Sequence, residues 1–73
     1  MDRSDVARTA HVVVVDDVAP ETLTALADCR ISRDSGSLHI STRLHTPAET
    51  YDLLERIRRL GMTLISLSVE VDE

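Results

Sequence analysis

The chain has 73 residues, a net charge of −5 and a single cysteine, Cys29. A chain this short buries only about 60% of its unfolded surface, and one cysteine allows no intrachain disulfide. No Cys/His group has zinc spacing either, which leaves self-association as the expected supplement to a small core. The acidic balance, 13 Asp and Glu against 8 basic residues, all Arg, repels a phosphate backbone and argues against nucleic-acid binding.

Residues 1–10 mix charge with small side chains without periodicity and are expected to form a flexible N-terminal arm. Met1-Asp2-Arg3-Ser4-Asp5 lacks a charged-then-apolar signal pattern, and the longest aliphatic run, Val12–Val15, is far too short to span a bilayer. The expectation is a cytoplasmic protein with no membrane segment. A single βαββαβ domain is predicted over residues 11–73. Its first strand, His11–Val15, is β-branched throughout after the histidine and suits a central position in a sheet. Asp16-Asp17 ends the strand. Pro20 and Glu21 then suit the first turn of a helix of about two turns, with Leu23, Leu26 and Ala27 as its apolar stripe.

Cys29–Leu44 reads as a hairpin. Cys29 and Ile31 alternate with Arg30 and Ser32, and Leu38, Ile40, Thr42 and Leu44 alternate with His39, Ser41 and Arg43. A two-residue turn at Ser35-Gly36 pairs Ile31 with Ile40, Cys29 with Thr42 and Arg30 with Ser41, so apolar meets apolar and polar meets polar. Thr46-Pro47-Ala48-Glu49 is a capping box that opens a second helix, which Gly61 closes. Leu53, Leu54, Ile57 and Leu60 are its buried stripe, with Asp52–Arg56 and Glu55–Arg59 as exposed i,i+4 pairs. Tyr51, the one aromatic residue, is expected at a partly buried edge. In the last strand, Met62–Val71, Ile65, Leu67, Val69 and Val71 point to the core, and Leu64, Ser66, Ser68 and Glu70 point away.

This order predicts an α+β fold of the ferredoxin-like kind: a four-stranded antiparallel sheet with two helices on one face. Over residues 11–71 the chain resembles ACT-type regulatory domains. Asp17-Val18-Ala19-Pro20-Glu21 stands where those domains carry Asp-x-Pro-Gly, and the glycine is missing. The run from Leu53 to Met62, followed by Leu64-Ile65-Ser66-Leu67, is similar to the C-terminal half of tiny uncharacterised actinobacterial proteins. That second likeness implies a fold but no activity.

No Ser/His/Asp group, glycine-rich phosphate loop or pair of catalytic carboxylates is visible, and one aromatic residue leaves little to line a pocket. Catalysis, cofactors and metals are therefore not expected. His39 and His45, roughly 20 Å apart along an extended strand, cannot share a metal within one chain. Cys29, read as inward-facing, is expected to have a raised pKa and to be inert.

The leading expectation is a non-catalytic interaction module, a homodimer in a regulatory or accessory role. It would use the outer sheet face (Arg30, His39, Ser41, Arg43) or the last strand (Leu64, Ser66, Ser68), with Val12 or Val14 packing against Leu64. A heterologous protein partner fits the same surfaces. The alternative, implied by the ACT likeness, is a small-ligand sensor that binds an effector between protomers. Asp16 and Asp17 would contact the ligand there, with Arg30 or His39 in support.

Overall fold

A computed structural model describes residues 8–71. In chain order the elements are β1 (Arg8–Val15), α1 (Pro20–Thr24), β2 (Arg30–Asp34), β3 (Ser37–Leu44), α2 (Ala48–Arg59) and β4 (Leu64–Val71). The four strands form one sheet in the order β2-β3-β1-β4, and each neighbouring pair is antiparallel. β1 and β3 are central, while β2 and β4 are the edges.

The core lies on one face of this sheet. Alternation along β1 turns Ala10, Val12 and Val14 inward, and alternation along β3 does the same for Leu38, Ile40 and Leu44. Leu26, Leu53, Ile57 and Met62, from the helical side, complete the cluster. At roughly 25 cal/mol per Å² of apolar surface removed from water, these side chains supply most of the drive to fold.

The hairpin pairs as its sequence predicts, with Ile31 opposite Ile40 and Arg30 opposite Ser41. Ser35 (φ 52°) and Gly36 (φ 83°) both have positive φ, as a type I′ turn requires. β2 begins at Arg30, so the expected Cys29–Thr42 pair falls outside the strand.

Several boundaries differ from the sequence reading. β1 starts at Arg8, three residues before His11, because Arg8–Ala10 pair with β3 on one side and β4 on the other. Two flanking strands impose an extended backbone that local composition does not signal. The rest of the expected arm, residues 1–7, and the last two residues of the expected domain lie outside the described residues. α1 is a five-residue turn of helix; a looser Ala25–Asp28 turn follows it, held by i→i−3 bonds such as Leu26 N–H to Leu23 O (3.0 Å). The Thr24 hydroxyl donates back to the Glu21 carbonyl, the local competition that makes threonine a poor helix continuer. Leu26 is nonetheless fully buried, whereas Ala27 is exposed.

In α2, Leu53 and Ile57 are buried as predicted, and Gly61 (φ 76°) follows its C-terminus. Only half of the capping box forms. The Glu49 carboxylate accepts from the backbone N–H of His45 (2.5 Å) and of Thr46 (3.4 Å), but the Thr46 side chain makes no cap and Pro47 occupies the N-cap position. Arg56 pairs with Asp28 (3.0 Å) and not with Asp52, tying α2 to the turn before β2. Glu55 pairs with Arg59 (3.3 Å) as expected. Tyr51 is exposed, because at 100° per residue it sits well away from the Leu53–Ile57 stripe.

Candidate interaction surface

β4 is positioned at both ends. Its start is fixed by Met62, which is buried, and by Val15 N–H, which donates to the Thr63 carbonyl (3.0 Å). Its length is fixed by β1, with Val12 opposite Leu67, Ala10 opposite Val69 and Arg8 opposite Val71. On its other side β4 meets no strand among the described residues.

The apolar side of β4 is only partly covered. Leu67 packs against the core, but Ile65 is 54% exposed, Val69 40% and Val71 53%. The sequence reading placed all four on a buried face. Their orientation is right, since Leu67 and Val69 face across from the inward Val12 and Ala10, but the helical layer does not reach over them. A register shift between Val13 and Val14 sets Leu64 opposite the buried Val14. Leu64 is thus not part of the outer face, contrary to expectation, although it remains 45% exposed. Val12 and Val14 are also corrected: both are buried in the core, and Val13 and Val15 take the outer face. An unbroken aliphatic run carries no parity of its own.

The outer face is polar and ordered in rows across the strands. One row reads Arg30, Ser41, His11, Ser68, and the next Ser32, His39, Val13, Ser66. The predicted Arg30, His39, Ser41, Arg43, Ser66 and Ser68 therefore do share this face. His11 is the residue that the sequence reading missed. Its Nδ1 lies 3.2 Å from Ser41 Oγ and its Nε2 3.5 Å from Glu70 Oε1, which links β3, β1 and β4. Parity counted back from Leu67 through the β1–β4 register would have found it, but the register is not written in β1 itself.

Two shallow clefts flank the end of β3. β2 begins too late to pair with Thr42–Leu44, and the space it leaves opens on both faces. The larger cleft, about 750 Å³, is lined among others by His11, Asp28, Cys29, Arg30, Ser41 and Arg43. The smaller, about 310 Å³, lies between β3 and α2 and includes His45, Glu49, Asp52 and Arg56. Cys29 touches both. Partial burial, followed by the nearby Asp28 charge, pushes its thiol pKa up and keeps it protonated. The Arg56 guanidinium holds the Asp28 carboxyl below the usual aspartate range.

The expected ligand residues lie at the opposite end of the sheet from the larger cleft. Asp16 follows Val15 and pairs with Arg33 of β2 (3.1 Å), and Asp17 is exposed beside it. Neither approaches Arg30 or His39 in register. Among the described residues, no three His, Cys, Asp or Glu side chains gather as metal ligands, and no helix is long and apolar enough to cross a membrane. Comparisons with protein-family models, curated proteins and solved structures found no match.

Proposed function

We propose that the chain is a non-catalytic association module of the ferredoxin-like kind, a cytoplasmic homodimer that acts as a regulatory or accessory protein. The observation that carries the proposal is β4: an eight-residue edge strand with one charge, Glu70, and four exposed aliphatic side chains, Leu64, Ile65, Val69 and Val71. Edges of that composition are normally paired or covered, since their free N–H and C=O groups template another strand. The ferredoxin-like reading draws support from the strand order, with β1 and β3 in the centre and β2 and β4 outside. The non-catalytic reading draws support from the chemistry nearby. The single thiol is held protonated, and the His11 ring is engaged by Ser41 and Glu70.

Light scattering across a hundredfold concentration range tests the proposal. A constant mass of twice the 8.1 kDa chain supports it, and a monomer up to high micromolar concentration overturns it.

A second reading rests on one specific feature, the larger cleft. Arg30 makes no ion pair there with any described residue, and the Ser41 hydroxyl and His11 ring lie beside it. That set suits a small anion such as a phosphate or carboxylate. A thermal-shift titration with inorganic phosphate and with simple carboxylates tests this. A ligand at about 100 times its dissociation constant adds about 2.7 kcal/mol of stability, and Arg30→Gln should abolish that gain.

A further inference from the structure

We propose that two copies of this chain join β4 to β4 in antiparallel fashion with the two-fold axis at Ser68, merging two four-stranded sheets into one of eight. The proposal rests on the self-association reading above and deepens it by fixing partner, direction and register.

The argument starts from the pattern Ile65-Ser66-Leu67-Ser68-Val69-Glu70-Val71, which reads apolar-polar-apolar from either end about Ser68. Directly opposed residues of an antiparallel pair point to the same face. Registers that oppose Leu67 to Ser68 therefore set apolar against polar along the whole strand. A parallel pairing about an axis along the strand turns the second copy over, so its Ser66, Ser68 and Glu70 fall beside Leu67 and Val69. Only antiparallel registers centred on a residue keep helices and apolar side chains on one common face.

The three centres nearest the middle of Ile65–Val71 are Leu67, Ser68 and Val69. An axis at Leu67 opposes the apolar Leu64 to the partner's Glu70. An axis at Val69 leaves Ile65 without a partner in the strand. An axis at Ser68 pairs all seven residues: Ile65 with the partner's Val71, Leu67 with the partner's Val69, Ser66 with the partner's Glu70, and Ser68 with its own copy. Every exposed aliphatic from Ile65 to Val71 then meets another across the strands, the contact that stabilises sheets.

Charge agrees with this register. The chain carries −5 overall, but Glu70 is the one charge on β4. With the axis at Ser68 the two copies of Glu70 stand four residues apart along the strands, about 14 Å. That exceeds a Debye length of about 8 Å at physiological salt, so their repulsion is screened.

Disulfide trapping tests the register. In a Cys29→Ser background, single cysteines are placed at Ser66, Leu67 and Ser68 and oxidised, with the mass of each reduced variant measured in parallel. Directly opposed residues have Cα atoms about 4.5–5.5 Å apart, within the range of about 4.4–6.8 Å that a disulfide accepts. Ser68→Cys should give a covalent dimer at least ten times faster than Ser66→Cys or Leu67→Cys. A reduced dimer that links as fast or faster through Leu67→Cys or Ser66→Cys overturns the register while leaving self-association intact. Reduced variants that are monomeric at every concentration overturn the reading on which the register rests.

Discussion

β2 and β4 are both edge strands, and they meet solvent with opposite chemistry. β2 is five residues long and three of them, Arg30, Arg33 and Asp34, are charged. β4 is eight residues long with the single charge Glu70, and aliphatic side chains occupy positions that the helices leave uncovered. Short length and charge are the two commonest ways in which a sheet edge is kept from recruiting another strand. The same sheet thus has one edge closed by its own sequence and one left open. The two edges therefore present different surfaces to solvent: charge on β2, uncovered aliphatic side chains on β4.

Both edges hang on the central pair, so the largest effect comes from there. Ile40 is fully buried and stands opposite Ile31 of β2 and Val12 of β1. Ile40→Ala should cost about 2–5 kcal/mol, comparable to the whole stability of a domain this size. Circular dichroism during urea titration should show the cooperative transition moved to much lower denaturant or lost. A change below about 0.5 kcal/mol would mean that the core is not organised around β3.

The next test contrasts the edges directly. Val69→Lys puts a charge on the uncovered side of β4 and should weaken self-association by about a hundredfold, or roughly 2.7 kcal/mol. Ser32→Lys, a charge added to the outer face of β2, should leave the solution mass unchanged because that edge already carries charge. Equal effects from the two, measured by sedimentation equilibrium, would erase the distinction between the edges. In the turn that closes β2 onto β3, Gly36 has φ +83° and nothing near the position of an added Cβ. Gly36→Ala should therefore cost about 1 kcal/mol through backbone strain alone, without a clash.

The sequence was most legible where two independent signals converged. Ser35-Gly36 sets a two-residue turn, and the alternation on either side demands the same register, so the Ile31–Ile40 and Arg30–Ser41 pairs could be read, though not where β2 begins. α2 was similarly marked, by Pro47 and Glu49 at one end and Gly61 at the other. β1 had only one signal, an aliphatic run from Val12 to Val15. Such a run says strand but not which face each valine takes, and Val12 and Val14 were placed at an interface when they fill the core. The exposure of β4 was hidden for a different reason. Alternation gives the direction of Ile65, Val69 and Val71, but whether anything covers them depends on how far the helical layer extends. How far that layer extends is a tertiary property that strand alternation does not carry, so Ile65, Val69 and Val71 read as core from the sequence alone.

The smallest expected effect concerns the contact that secures the turn before β2. Asp28 Oδ1 accepts from Arg56 (3.0 Å), and that guanidinium holds the carboxyl below its usual range. A depressed folded-state pKa adds stability at pH values above the unfolded value of about 3.9, and that stability is lost as pH falls through the folded value. Both side chains are more than a third exposed, 39% for Arg56 and 64% for Asp28, so solvent screening limits the pair to under about 1 kcal/mol. Asp28→Asn should therefore lower the unfolding midpoint slightly near neutral pH, and the difference should vanish as pH falls through the folded-state value and the native carboxyl is protonated too. High salt should shrink the difference in the same way. A gap between the two proteins that persists at low pH would assign the effect to the geometry of the turn and not to the charge, and β2 would then be held by its hairpin alone.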